Sequence, residues 1–566
     1  PLPLFKGAPP MPRGVKIEAA HLVWAAAFAT VLVVVGYPLF MLVYRSLTGP
    51  EGQFTLEAYR KILSDPYTGE LTLNTLKLAV VSTLLSVAIG VPLAWVVTRT
   101  DIPAKNLIRA LAILPFILPP YIGAIAWIQL LAPTTGYINR LYRALGFHGN
   151  LASIYTFWGL VLVMTTHYYV YVFLTTSAAL EQMDPSLEEA ARMSGAGMLR
   201  VAREITLPLV APSIASGALL TFVAACANFG IPAMIGSRAR YHVLTTKIYS
   251  MLSIPDLDRA ITYSIILLLI TGIALAIQRR AFRTRRFTTI TGKTVRPSVA
   301  PLGRWKIPTL AVVLVFLFLS SVIPVVSIVY SAFLKNIGRP LTDLSNYTLE
   351  NFRAVLFRDR DTRVAITNSL MLSVSSATVI TLFGALLAYI IVKTRVRGRF
   401  LLDWLSSVPY ALPGTVVAVS MILAYIKTPL FNTLWLILLA YFTRYMSYGV
   451  RTTVGSLLQI DPSLEEAARM SGASWLRTMK DVVVPLMKPA LVAGWILVFM
   501  PTLCELTVSI IIYPPGQPTI GVATFNLMDV GYYPWAYAMA AIVTFVVIMG
   551  QLIVNRITGR IGSRGL

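Results

Sequence analysis

Charge is scarce in this sequence: 13% of its 566 residues are charged, and 24 acids face 48 lysines and arginines. An ordinary soluble domain is about a quarter charged, so the chain is not a soluble globule. Cysteine is nearly absent as well. Cys226 and Cys504 both fall in apolar runs, which excludes a disulfide framework and leaves two buried free thiols, and the four histidines show no Cys/His spacing for zinc. A nucleotide-binding loop is missing too. The nearest string, Gly292-Lys293-Thr294, has Phe287 where the first glycine of G-x-x-x-x-G-K-S/T belongs. No clustered nucleophile, acid–base pair or metal set supports an integral membrane enzyme.

Apolar sequence is abundant, at 56% of residues. Runs long enough to cross a hydrocarbon core of about 30 Å lie near 22–47, 73–98, 107–132, 153–178, 212–236, 260–278, 307–334, 367–392, 401–426, 433–456, 489–513 and 534–555. They predict an all-α integral membrane protein of about twelve transmembrane helices. The first run is too long for a signal-peptide core and is expected to stay as an anchor.

The net charge of +24 does not indicate nucleic acid, because the cations cluster in short segments beside apolar runs. Lys6, Arg13 and Lys16 precede the first run, Arg99, Lys105 and Arg109 separate the second and third, and the stretch 279–306 holds nine cations and no acid. By the positive-inside rule these segments and the amino terminus are cytoplasmic. Acid-bearing loops, with Glu57, Asp65 and Glu70 or with Asp256 and Asp258, then fall outside.

Residues 184–196 and 461–473 both read DPSLEEAARMSGA. The flanking sequence has diverged: 70–100 against 364–394 keeps 9 of 31 positions, among them Asn74/Asn368, Gly90/Gly384 and Ala94/Ala388. The chain is therefore two parallel six-helix repeats, 1–278 and 307–566, joined by the basic cytoplasmic linker 279–306. Both copies follow the fourth span of their half, which puts them in the cytoplasm. Identity confined to thirteen residues implies that both copies bind identical sites on a duplicated partner. Asp184-Pro185 and Asp461-Pro462 signal helix starts. Ala190/Ser194 and Ala191/Gly195 offer a small-residue face, and Gly195 and Gly472 can end the helix.

Glu189-Ala190-Ala191, Gly195 and then Ile205-Thr206-Leu207-Pro208 resemble the EAA signature of binding-protein-dependent ABC importer permeases. The second copy, Glu466-Ala467-Ala468, Gly472 and Val482-Val483-Val484-Pro485, keeps the spacing with valine in place of isoleucine and leucine. The resemblance implies a type I ABC importer permease fold, with Glu188, Glu189, Ala190, Ala191 and Gly195, and likewise Glu465, Glu466, Ala467, Ala468 and Gly472, docking on two copies of a cytoplasmic ABC ATPase. ATP and magnesium then belong to those subunits, and this chain carries no cofactor. An extracytoplasmic solute-binding protein and membrane lipid are the other implied partners, in a bacterial cytoplasmic membrane. The strings NFGIPAMIG at 228–236, VLTTKIY at 243–249 and CELTVSIIIYPPGQPTIGV at 504–522 resemble fused iron(III) uptake permeases; thiamine, phosphonate and sugar-phosphate permeases share the fused form. A secondary transporter also uses repeats but does not account for identical cytoplasmic helices.

Polar residues inside the apolar runs are candidates for a pathway, since a charge in hydrocarbon costs roughly 2.5–3.5 kcal/mol even on insertion scales. Glu505 is the clearest, and the repeat register sets Asn228 opposite it. The same register matches His167 with Arg444 and Tyr168 with Tyr445. Iron(III) suits carboxylate and phenolate oxygens, which makes Glu505 at most a transient ligand, and a basic residue suits an accompanying anion. The competing expectations are that Arg444 pairs with Glu505 structurally and that His167 only packs.

Overall fold

The computed structural model describes residues 17–49, 52–254, 256–283, 299–339, 343–394 and 396–557. Lys6, Arg13, Lys16 and positions 284–298 of the basic linker lie outside them. The helices used below are α1 (His21–Ser46), α2 (Pro66–Arg99), α3 (Lys105–Ile117), α4 (Pro120–Leu131), α5 (Phe157–Gln182), α6 (Ser186–Met193), α7 (Leu207–Ala227), α8 (Leu257–Arg283), α9 (Gly303–Ala332), α10 (Arg360–Lys393), α11 (Gly414–Tyr425), α12 (Leu434–Leu457), α13 (Pro462–Met470), α14 (Val484–Leu503) and α15 (Tyr533–Ile557).

Among the described residues nine helices are long and apolar enough to cross a membrane, ten if the bent pair α3–α4 counts as one span. Three of the about twelve expected runs are not among these nine. The third run turns by 101° at Leu118 and Pro119 between α3 and α4. The ninth breaks ahead of α11, where Pro413 stands at the position matching Pro119. Proline supplies no amide hydrogen and disfavours helix at the residue before it. The tenth, α12, carries Arg444 and Arg451. The fifth and eleventh runs also stop early, α7 at Ala227 and α14 at Leu503, and short helices Gly230–Ala239 and Ser509–Ile512 follow.

Prolines elsewhere are accommodated without a break. Wider π turns at Leu32–Gly36, Ala202–Thr206, Phe318–Val322 and Met479–Val483 precede Pro38, Pro208, Pro324 and Pro485, where a regular α turn would clash with the ring.

The described residues form two compact units. One comprises those of 1–56, 360–523 and 549–561, the other those of 57–359 and 524–548. In the second unit α2, α5 and α7 pack together. A Cβ on Gly90 would lie 2.9 Å from the Tyr169 carbonyl oxygen, so the glycine lets α2 and α5 touch along their backbones. In the first unit α10, α12 and α14 repeat the arrangement. A Cβ on Gly384 would lie 2.7 Å from the backbone of Gly449.

The span that opens each sequence half packs in the unit built from the other half. Tyr425 and Thr443 hydroxyls donate to the Val33 and Val34 carbonyls of α1, both at 3.0 Å; these carbonyls lie in a π turn, which loosens the helical ladder. In the second unit, Ser331 of α9 is hydrogen-bonded to Tyr137 at 2.8 Å. The sequence repeats and the packing units are thus different divisions of the chain.

Candidate functional site

The repeated thirteen residues form the short helices α6 and α13. Asp184 Oδ1 accepts the Ser186 N–H at 2.9 Å and Asp461 Oδ1 the Ser463 N–H at 2.9 Å. These bonds hold both carboxyls below the ordinary aspartate range. Gly195 and Gly472 follow the last turns with φ of +83° and +79°. A Cβ on either would meet nothing within 4 Å, so the demand for glycine comes from the left-handed backbone.

The paired glutamates divide the work. Glu189 and Glu466 are exposed, with Ala190 and Ala467 beside them, while Ala191 and Ala468 are half-buried. Glu188 and Glu465, expected on the docking face, are instead 1% and 6% exposed. Residues next to each other on a helix point about 100° apart, so one glutamate of each pair can turn inward while its neighbour stays exposed. Glu188 lies 3.6 Å from the Arg99 guanidinium at the end of α2 and accepts the Thr206 hydroxyl at 2.6 Å. Glu465 lies 2.7 Å from Lys393 Nζ at the end of α10 and 3.7 Å from Arg469. Arg99 and Lys393 are matching positions of the two halves, and Arg99 also donates to the Met183 carbonyl at the end of α5.

Met193 and Met470 were not expected on the outer face, yet they are 90% and 89% exposed, with Leu187 and Leu464 exposed nearby. Their presence in both identical copies is the signal that could have found them.

The intramembrane residues separate by unit. In one, Arg444 Nη1 lies 2.6 Å from Glu505 Oε1 and the guanidinium stands 5.4 Å over the Tyr445 ring. The Glu505 carboxylate also accepts the N–H groups of Val508 and Ser509 and the Ser509 hydroxyl at 2.9–3.1 Å, opening the helix Ser509–Ile512. Gly414 leaves the space the guanidinium fills, since a Cβ there would overlap it. In the other unit, Asn228 Oδ1 accepts the Ile231 N–H at 2.9 Å, and its amide donates to the Tyr168 hydroxyl at 2.6 Å. Asn228 and Glu505 thus do the same local work, each binding an N–H three residues ahead. Tyr168, rather than His167, supplies the partner that Arg444 supplies in the other half. His167 is buried against Phe116 and Tyr168, with ring centroids 6.0 and 4.8 Å away. Among the described residues no three His, Cys, Asp or Glu side chains gather into a metal set.

A family model described as binding-protein-dependent transport system inner membrane component matches residues 86–286 and 380–564, more than half of the chain. The chain belongs to this family. As a member of it, the chain is a multi-pass permease of the ABC importer type, built from two fused permease segments. It is 27% identical over 514 residues to a ferric transport system permease protein FbpB of Actinobacillus pleuropneumoniae, covering 89% of this chain and 74% of that one. A putative ferric transport system permease protein FbpB 1 of Haemophilus influenzae is 29% identical, covering 81% and 72%. A Fe(3+)-transport system permease protein FbpB 2 of the same species is 24% identical, covering 88% and 91%.

Proposed function

We propose that this permease imports iron(III), with two copies of a separate ABC ATPase docked on α6 and α13 and an extracytoplasmic solute-binding protein delivering the cargo. The observation that carries the reading is the pair of helices with one sequence, one capping pattern, one left-handed glycine and one exposed face of Glu, Leu and Met. ATP and magnesium bind in the ATPase subunits, and this chain holds no cofactor. In this reading the amino terminus, the linker 279–306 and both repeated helices face the cytoplasm of a bacterium. Closure of the ATPase pair on ATP moves α6 and α13, and the permease alternates between openings to the two sides. The three ferric-transport relatives, each aligned over four-fifths of the chain or more, support the cargo.

Within the pathway, Arg444 keeps a quarter of its side chain exposed while Glu505 is 2% exposed. We assign the guanidinium to an anion accompanying iron(III) and Glu505 to holding it. The test is ATP-dependent uptake in vesicles containing the permease, its ATPase and the cognate binding protein. Uptake of iron(III) is expected. Transport of thiamine, a phosphonate or a sugar phosphate without iron(III) would overturn the cargo, and failure to bind an ATPase would overturn the importer mechanism.

A further inference from the structure

Helices α2 and α10 are each 34 residues long, about 51 Å at 1.5 Å per residue and so longer than a hydrocarbon core of about 30 Å. Both end on a cation that grips the buried glutamate of a repeated helix: Arg99 with Glu188 and Lys393 with Glu465. Near their other ends a second set of contacts recurs. Asn74 donates to the His242 carbonyl at 3.3 Å, and Thr75 Oγ1 accepts the Leu244 N–H at 2.9 Å. Asn368 donates to the Pro518 carbonyl at 3.1 Å, and Ser369 Oγ accepts the Ile520 N–H at 2.8 Å. In both halves a carbonyl and an N–H two residues apart are held by an Asn and the hydroxyl residue after it.

We propose that α2 and α10 are paired rods, each clamped at one end to a docking helix and at the other to a loop on the binding-protein side, and that they carry the signal between the two. The inference rests on the importer reading for what lies at each end. Asparagine and cation are separated by the same interval in both helices, Asn74 to Arg99 and Asn368 to Lys393, about 37 Å along the helix axis. Both helices run unbroken between these positions, α2 taking up Pro92 within its length, and a helix resists compression along its axis. Apolar faces can slide, whereas a hydrogen bond or ion pair fixes position along the rod.

Divergence sharpens the case. Only 9 of 31 positions survive between the two segments, yet the clamp positions keep their chemistry: Asn with Asn, Thr with Ser, Arg with Lys, and on the repeated helices Glu with Glu. Burying an ion pair carries a desolvation cost that two apolar side chains would avoid. Its presence under both docking helices points to a directional tie. Glu188 also holds Thr206 on the segment leading into α7, so a pull on α6 reaches α2, α5 and α7 through one buried carboxylate.

The experiment uses the whole complex of permease, ATPase and binding protein in vesicles. Asn74→Asp with Asn368→Asp keeps size and removes the donated N–H; Thr75→Val with Ser369→Ala removes the acceptors. For both pairs we expect ATPase co-purification and basal ATP hydrolysis as in wild type, with stimulation by binding protein and solute uptake each reduced about tenfold or more, within the usual range of coupling energies. At the inner clamp, Arg99→Met with Lys393→Met should uncouple in the same way, and Arg99→Lys with Lys393→Arg should retain coupling, since each half already works with the other's cation. Normal stimulation and uptake in the assembled outer-clamp variants would overturn the proposal. So would loss of ATPase binding in those variants, which would mean that the contacts only hold the fold. A wild-type permease that binds no ATPase would instead remove the importer reading itself.

Discussion

Arg444 and Glu505 form a 2.6 Å ion pair whose carboxylate is 2% exposed and accepts three further donors from Val508 and Ser509. A carboxylate so occupied acts first on its own chain: it fixes the guanidinium and the start of the following helix. Breaking one member of a buried pair typically costs about 3–5 kcal/mol.

Glu505→Gln should therefore lower the thermal midpoint of the purified permease, by an amount equivalent to about 3 kcal/mol, and reduce uptake with it. Thermal unfolding in detergent followed by tryptophan fluorescence measures the first effect, and vesicle uptake the second. An unchanged midpoint with abolished iron(III) uptake would return the carboxylate to the cargo.

Gly195→Val and Gly472→Val place a β-branched residue at φ near +80°, which costs about 1–2 kcal/mol for an L residue in the left-handed region. Nothing crowds either site, so the permease should express normally. ATPase co-purification should fall several-fold for each single change and further for both. Unchanged co-purification would reduce the glycines to connectors.

The caps at Asp184 and Asp461 make a prediction about pH. Their carboxyls titrate below the ordinary aspartate value because the ionised form accepts the Ser186 and Ser463 N–H groups. A lowered folded pKa means that the stabilisation is complete above the ordinary carboxylate range and is lost only as pH falls through the lower, folded value. Between about pH 5 and 8 these caps contribute a constant amount. ATPase retention measured across that window should show no dependence removed by Asp184→Asn with Asp461→Asn; a step that disappears in the double variant would contradict the assignment.

Apolar run length was enough to read the membrane class and the helices α2, α5, α8 and α10 from sequence, because a bilayer demands long uninterrupted helices. Run length does not report direction, so the turn at Pro119 and the early stops at Asn228 and Cys504 were read as continuous spans. The exchange of α1 and α9 was not legible, since nothing local in either helix specifies which half it meets. At the repeated helices, capping and glycine signals were local and legible. The roles of Glu188 and Glu189 were not, because the inward choice depends on Arg99, far away in the chain. Arg99 reads as a topology signal alone, although its match to Lys393 in the second half pointed further.

Stoichiometry and loss of docking test the account most directly. Purified with its ATPase, the permease should form a complex whose native mass gives two ATPase subunits per chain. Glu189→Ala with Glu466→Ala should abolish uptake and release the ATPases while the permease keeps its helical circular dichroism, and either single change should do so in part. A complex with one ATPase, or a double variant that retains both ATPases and transports at the wild-type rate, would contradict the claim that α6 and α13 are twin docking sites.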